Sequence, residues 1–173
     1  MSERRPLVAA NWKMNGTLSS IRLLLADVCK GIAAGVKAEV AICPPYVYLG
    51  EVAGLLDRTG IALGAQNLAV HDAGAYTGEV SAAMLCDYHC RYVIVGHSER
   101  RTLYGETDAV VAEKFVRAVG NGLKSILCIG EHLEEREAGE TENVLARQLD
   151  TVIEKAGIAA FGRAVIAYEP VWA

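Results

Sequence analysis

The stretch Tyr92-Val93-Ile94-Val95-Gly96-His97-Ser98-Glu99 joins a short apolar run to a polar turn. The run Tyr92–Val95 predicts a buried strand, and Ser98 with Glu99 predicts the start of a helix. His97 is therefore expected at the carboxyl end of a strand, against the N-terminus of a helix. Because the positive end of a helix dipole disfavours imidazolium, we expect a neutral ring that can donate a hydrogen bond.

Short apolar or β-branched runs of the same kind recur along the chain. They are Leu7–Ala10, Val40–Cys43, Ile61–Ala65, Tyr92–Val95, Ser125–Ile129 and Ala164–Tyr168. Apolar stripes at helical spacing lie between several of them. These stripes are Ile21, Leu24, Leu25 and Val28; Val110, Val111, Phe115, Ala118 and Val119; and Val144, Leu145, Leu149, Val152 and Ile153. Alternating strands and helices predict an α/β fold with a parallel sheet, in one domain over residues 1–173.

The repeat of roughly 30 residues matches an eight-unit parallel (β/α) barrel, which has about 31 residues per unit. A flavodoxin-like open sheet has the same alternation, and the period alone does not exclude it. The polar residues favour the barrel, because they follow several different strands, where barrel enzymes gather their active sites. Those residues are Asn11, Lys13, His97 and Glu169.

Side-chain alternation along each strand gives a second expectation. Asn11 and Lys13 share the phase of Leu7, and Glu169 shares that of Ala167. His97 shares the phase of Val93 and Val95. We therefore expect small apolar residues inside the barrel, with a polar group above each strand at its mouth.

The composition restricts the function classes. A net charge of −4 and a pI near 5.6 argue against nucleic acid or an anionic membrane as the main partner. Residues 1–6 are charged and are not followed by an apolar stretch of the length expected for a signal peptide, and no apolar run approaches the roughly 18 residues of a membrane span. The five cysteines have no metal-ligand spacing, which predicts reduced thiols in a cytoplasmic protein. Cys128, inside an apolar run, is expected to be a packed core thiol.

Several motifs together resemble the triosephosphate isomerase family. Ala10–Asn15, Gly96–Arg101, Cys128–Glu131 and Ala167–Ala173 resemble its signatures, and Gln66-Asn67 with Gly74–Glu79 resemble its long third loop. The motifs occur in the expected order and span the chain. The resemblance implies a TIM barrel that interconverts dihydroxyacetone phosphate and glyceraldehyde 3-phosphate, in glycolysis and gluconeogenesis, with neither cofactor nor metal.

The family is a standard case of tuned acid–base chemistry, so the following roles come from the resemblance. It implies that Glu169 is the base that removes the proton beside the substrate carbonyl. His97 would polarise that carbonyl and move protons between the two oxygens. Lys13 would supply positive charge for the phosphate and the enediolate, Asn11 would donate to the same oxygens, and Glu99 would hold Lys13 or order the site.

The resemblance also implies a homodimer. In the family, the loop after the third strand reaches the neighbouring subunit, and this segment, Gln66 to Val80, is long and rich in small and polar residues. Thr77 would then lie near the rim of the partner's active site, and Asn15 at the same interface.

Other polar residues have plainer interpretations. Arg100 and Arg101 are expected to pair with acidic neighbours, and Glu131 to Glu140 to form a solvated, charge-rich segment. Loop or helix-surface positions are expected for His71, His89 and His132.

The resemblance predicts that a complete family member continues past Ala173 with the rest of a lid and two further units. We therefore expect a partial chain, with six of eight units and with its first and sixth strands as open edges. A genuine six-unit variant is the alternative. Two other function classes stay open: a non-catalytic fragment or scaffold without the phosphate-binding loops, and another phosphosugar-binding barrel. Turnover of dihydroxyacetone phosphate distinguishes them.

Overall fold

The structure is a computed structural model, and it describes residues 5–33 and 35–172. Its strands are β1 (Leu7–Asn11), β2 (Glu39–Cys43), β3 (Ala62–Ala65), β4 (Tyr92–Val95), β5 (Lys124–Ile129) and β6 (Ala164–Tyr168). Each predicted strand is present, and its ends differ from the prediction by one residue at most.

The strands form one parallel sheet in sequence order, from β1 to β6. Sequence order excludes the flavodoxin-like alternative, in which the first strand lies between the second and the third. All six strands contribute side chains to one interior apolar cluster, from Leu7 on β1 to Ala167 on β6. In addition, β2 and β4 are in contact across β3, as in a sheet that curls, and the predicted incomplete TIM barrel is confirmed. Within the described residues, β1 and β6 each pair on one side only.

The helices cover the outer face of the curled sheet. They are α1 (Leu18–Ala33), α2 (Leu49–Leu56), α3 (Ala82–Asp87), α4 (Ser98–Tyr104), α5 (Asp108–Gly120), α6 (Leu133–Glu137) and α7 (Thr141–Ala156). Their buried residues form a second apolar cluster with outward-facing strand residues, as Phe115 does with Val93. Of the stripe predicted for α1, Ile21 and Leu25 are buried, whereas Leu24 is exposed. No helix in the described part of the chain has the length and apolar composition to span a membrane.

The predicted orientation of β4 is wrong. Val93 and Val95 pack in the cluster between sheet and helices, while Tyr92 and Ile94 face the interior. The alternation ends at Gly96, whose φ of 71° is in the left-handed region that favours glycine. A Cβ there would approach Val111 on α5 to 2.8 Å, so the main chain turns close against that helix.

Candidate active site

A cavity of about 350 Å³ lies at the carboxyl ends of β1 to β4. Four of the five residues proposed for catalysis or substrate binding line it, namely Asn11, Lys13, His97 and Glu99. His97 reaches this cavity although Val95 faces the helices, because Gly96 changes the phase of the chain. The structure therefore brings together groups that are up to 88 positions apart in the sequence.

Lys13 is held in a strained backbone conformation at the rim. Its φ of 51° is uncommon for a residue with a side chain and costs about 1–3 kcal/mol. Three hydrogen bonds stabilise the turn. The Lys13 N–H donates to Asn11 Oδ1 at 3.0 Å, and Gln66 Nε2 donates to the carbonyls of Lys13 at 2.9 Å and Cys43 at 2.8 Å. Gln66 thus ties the ends of β1 and β2 together beneath the lysine.

The Lys13 ammonium lies 3.1 Å from Glu99 Oε1. Both side chains are about half exposed, so this ion pair contributes roughly 0–1 kcal/mol to stability. Its effect is geometric, because the carboxylate holds the positive charge at the edge of the cavity.

His97 is the N-cap of α4 and is largely buried. Its Nδ1 accepts a hydrogen bond from the Glu99 N–H at 3.2 Å, whereas the Glu99 carboxylate is 3.6 Å from the same nitrogen, beyond hydrogen-bond distance. An N–H can donate only to an unprotonated nitrogen. With Nδ1 engaged as an acceptor, Nε2 is the ring nitrogen left to donate a hydrogen bond into the cavity.

The helix behind His97 is supported by buried ion pairs. Arg100 pairs with Glu106, and Lys114 Nζ donates to Glu106 Oε1 and to Asn67 Oδ1, each at 2.6 Å. Burial raises the pKa of Glu106, but hydrogen bonds from Lys114 and Arg100 outweigh it and lower that pKa overall. The carboxylate thus stays charged.

Arg101 lies on the same helix and pairs with Asp108 at 2.5 Å. It also donates to the Gly96 carbonyl at 2.8 Å, which braces the turn that carries His97. The prediction that Arg100 and Arg101 pair with acidic neighbours is confirmed.

Glu169 lies apart from the other four residues. It is exposed, and it lines a gap of about 10 Å³ together with Gly96, Ser98 and Cys128. Its N–H donates to the Ile129 carbonyl at 3.0 Å, which continues the pairing of β5 with β6. The gap reaches Ser98, directly after His97, so the glutamate lies beside the cavity rather than in it.

Glu131 was missed by the sequence analysis, which placed it in a solvated segment. The prediction is wrong at this residue, because Glu131 is fully buried. Its carboxylate accepts hydrogen bonds from the Tyr168 hydroxyl at 3.1 Å and from Trp172 Nε1 at 3.3 Å. Burial raises the pKa of Glu131, but hydrogen bonds from its own backbone, Trp172 and Tyr168 outweigh it and lower that pKa overall. The sequence signals for a buried carboxylate at this position are the two aromatic donors, Tyr168 and Trp172.

Cys128 faces the interior near Glu169. Burial, then the Glu169 charge, raises the pKa of this thiol to about 12, which disfavours the thiolate. The thiol is half-buried and packs against the interior cluster, so the predicted packing is confirmed, at the edge of the core rather than inside it. All five cysteines are free, and no group of residues in the described ranges could hold a metal ion. The histidines expected on loops and surfaces are exposed: His71, His89 and His132.

The loop after β3 has its own internal structure. The rings of His71 and Tyr76 stack at 3.8 Å, and Arg117 on α5 pairs with Asp72 at 2.7 Å. Thr77 is exposed at the tip of the loop. Asn15 is also exposed, and its Nδ2 donates to the Trp12 carbonyl at 2.9 Å.

The grouping has a defined chemical capacity. A carboxylate can take a proton from carbon, a neutral imidazole can donate to a carbonyl oxygen, and an ammonium can stabilise the resulting negative charge. On a curled parallel sheet, these residue types are typical of an acid–base enzyme of the α/β-barrel class.

The triosephosphate isomerase family model matches residues 6–173. Relatives named triosephosphate isomerase occur in Nitrosococcus oceani and Thiobacillus denitrificans, each 56% identical over 170 residues. These matches cover 98% of this chain and 68% and 67% of the two relatives. A relative of the same name from Shewanella halifaxensis is 53% identical over 183 residues, covering 100% of this chain and 69% of that protein. The chain belongs to the triosephosphate isomerase family.

Proposed function

We propose that the protein interconverts dihydroxyacetone phosphate and D-glyceraldehyde 3-phosphate through an enediolate. Family membership supports the reaction, and one observation supports the assignment of its chemistry to this site. That observation is the placement of His97 in one cavity with Lys13, with Nδ1 engaged by the backbone N–H of Glu99 so that Nε2 is left to act on a substrate oxygen.

In the proposed mechanism, Glu169 removes a proton from carbon 1 of dihydroxyacetone phosphate. The electron pair moves onto the carbonyl oxygen, to which His97 Nε2 donates. The ring passes protons between the oxygens of carbons 1 and 2, and Glu169 returns its proton to carbon 2. Reactant and product have the same atoms, so no co-reactant is needed. Lys13 and Asn11 stabilise the negative oxygens and the phosphate.

The test is isomerase activity of the protein expressed from its own gene, with Glu169→Gln beside it. The amide keeps the size of the side chain but cannot accept the proton, so kcat falls by about 10²–10⁴-fold. Glu137→Gln, an exposed position on α6, is the matched control and retains activity. Absence of turnover in the unaltered protein contradicts the proposal and favours a non-catalytic role or another phosphosugar.

We further propose a cytoplasmic homodimer that does not bind nucleic acid. Free cysteines support the compartment, and the negative net charge argues against nucleic acid. The exposed loop tip at Thr77 and the open cavity support the dimer. Two apolar side chains at the cavity are uncovered, Met14 at 93% and Tyr104 at 67% exposure. Asn15, next to Met14, lies on the same proposed interface.

Thr77→Arg is expected to separate the subunits, because a long charged side chain replaces a small one at the contact. Size-exclusion chromatography should show monomers, with Asp87→Arg, an exposed position outside the loop, as the control. Unchanged dimers in Thr77→Arg would contradict the interface.

A further inference from the structure

Gln148 is a polar residue on the buried face of α7. It lies one turn from Val144 and one turn from Val152, and all three side chains are buried. An amide buried without hydrogen-bond partners destabilises the folded state. Both polar atoms of Gln148 are instead bonded to a single residue. Its Oε1 accepts from the Gly130 N–H and its Nε2 donates to the Gly130 carbonyl, each at 3.0 Å.

Gly130 lies between Gln148 and the main chain of Glu169. A Cβ on Gly130 would lie 2.0 Å from the carbonyl oxygen of Glu169 and 2.9 Å from its carbonyl carbon. No side chain fits between the two main chains, so they are in direct contact. A displacement of Gly130 is therefore transmitted to Glu169.

The residues on either side of Gly130 bind the same segment by hydrogen bonds. The Glu169 N–H donates to the Ile129 carbonyl at 3.0 Å, and the Val171 N–H donates to the Glu131 carbonyl at 2.9 Å. Residues 129–131 thus form a ledge that supports Glu169. Gln148 holds the middle of this ledge from behind.

We propose that Gln148 is a positioning residue for the base. The inference rests on the proposed function, in which the Glu169 carboxylate takes a proton from the substrate. That carboxylate lies outside the cavity of His97, so its approach to the substrate depends on where the main chain holds it. A displacement of about 1 Å can lower a rate about 10²-fold. Gln148 itself lines neither His97's cavity nor the gap beside Glu169.

The space around the ledge makes the hydrogen bonds important. A cavity of about 260 Å³ borders Gln148, Gly130 and Val171 on the side of α4 and α6. Packing alone does not confine the ledge on that side. Removal of the two hydrogen bonds therefore loosens Gly130 on the side that faces α7.

The first variant is Gln148→Met, which keeps a long, flexible side chain but forms neither hydrogen bond. Val152→Ala is the control, because it removes buried volume from the same face of α7, one turn beyond Gln148. Amide hydrogen exchange at Glu169 and Val171 is measured together with kcat, KM and the unfolding temperature. The exchange measurement does not depend on activity.

Gln148→Met is expected to speed exchange at both amides by about tenfold or more and to lower kcat by about 10–100-fold, with little change in KM. Val152→Ala should lower the unfolding temperature, yet leave kcat within about twofold and both amides protected. Wild-type kcat and exchange in folded Gln148→Met would overturn the inference. An equal loss of kcat in Val152→Ala would do so too. If the unaltered protein shows no isomerisation, the proposed function fails, while exchange alone still decides whether Gln148 holds the ledge.

A second variant, Gln148→Glu, separates positioning from packing. The new carboxylate can accept from the Gly130 N–H, but it repels the Gly130 carbonyl until it is protonated. Its burial raises its pKa, so acid restores the donor within an accessible range. The ratio of its kcat to the wild-type kcat should therefore rise as the pH falls. A ratio that does not change with pH would contradict the positioning role of Gln148.

Discussion

The carboxyl ends of β1 and β4 hold their functional groups differently from the carboxyl end of β6. At β1 and β4, side-chain hydrogen bonds and ion pairs fix Lys13 and His97, with buried charges behind them. At β6, Glu169 is exposed, and its backbone is held by main-chain contacts with Ile129 and Gly130.

The contrast separates two ways of preparing a site. Lys13 and His97, which would stabilise the developing negative charge on the substrate oxygens, are held in place before substrate binds, as such groups must be. The base stays outside the cavity, and its placement depends on a support that can shift.

Removal of the buried cation behind α4 is expected to have the largest effect. In Lys114→Met, Glu106 is buried with Arg100 as its remaining partner, and breaking a buried pair costs about 3–5 kcal/mol. The free energy of unfolding in urea measures this loss. Lys155→Met is the control, because its 2.9 Å pair with Glu113 is about half exposed and contributes roughly 0–1 kcal/mol. Equal losses of unfolding free energy in the two variants would show that the buried ion pairs of Glu106 do not support α4 and His97.

Shortening the base tests the other side. Glu169→Asp leaves the main-chain contacts in place and retracts the carboxylate by about one C–C bond, ~1.5 Å. Because a displacement of about 1 Å can cost about 10²-fold, kcat should fall by about that factor while KM and the unfolding temperature change little. Steady-state kinetics with both triose phosphates measure the effect. A variant with wild-type kcat would mean that carboxylate placement is not critical.

The smallest expected effect is a change in the pH dependence of stability. The pKa of Glu131 is lower in the folded protein than its ordinary value of 4.5. Its stabilising contribution is therefore complete above about pH 4.5 and is lost as the pH falls through the folded value. In Glu131→Gln this part of the acid loss should vanish, so unfolding temperature should fall less steeply below pH 4.5 than in the wild type. Parallel pH profiles would exclude a charged Glu131.

Sequence patterns carried most of the fold and the rim of the site. The six strands follow from apolar runs, and three strand ends marked Asn11, Lys13, His97 and Glu169. The inner face of β4 did not follow from alternation, because the left-handed conformation of Gly96 changes the phase of the chain between Val95 and His97. Side-chain alternation in the sequence does not predict such a change of phase.

The sequence also did not predict the buried positions of the supporting polar residues Glu131 and Gln148. Glu131 begins a run of charged residues, and its burial depends on Tyr168 and Trp172, which are 37 and 41 positions away. Gln148 lies within an apolar helical stripe, where one polar residue resembles an exposed position. Its two bonds to Gly130 exist only once α7 packs on β5. The burial of Glu131 and Gln148 thus depends on long-range hydrogen bonds, which local sequence patterns do not predict.

Incorporation of solvent deuterium at carbon 1 of dihydroxyacetone phosphate tests the central division of labour most directly. Both incorporation and isomerisation should be almost abolished in Glu169→Gln, because proton abstraction fails. In His97→Gln the base remains, while proton movement between the oxygens is impaired, so the ratio of deuterium incorporation to isomerisation should rise above that of the wild type. Wild-type deuterium incorporation in Glu169→Gln, or an unchanged ratio in His97→Gln, would contradict the account.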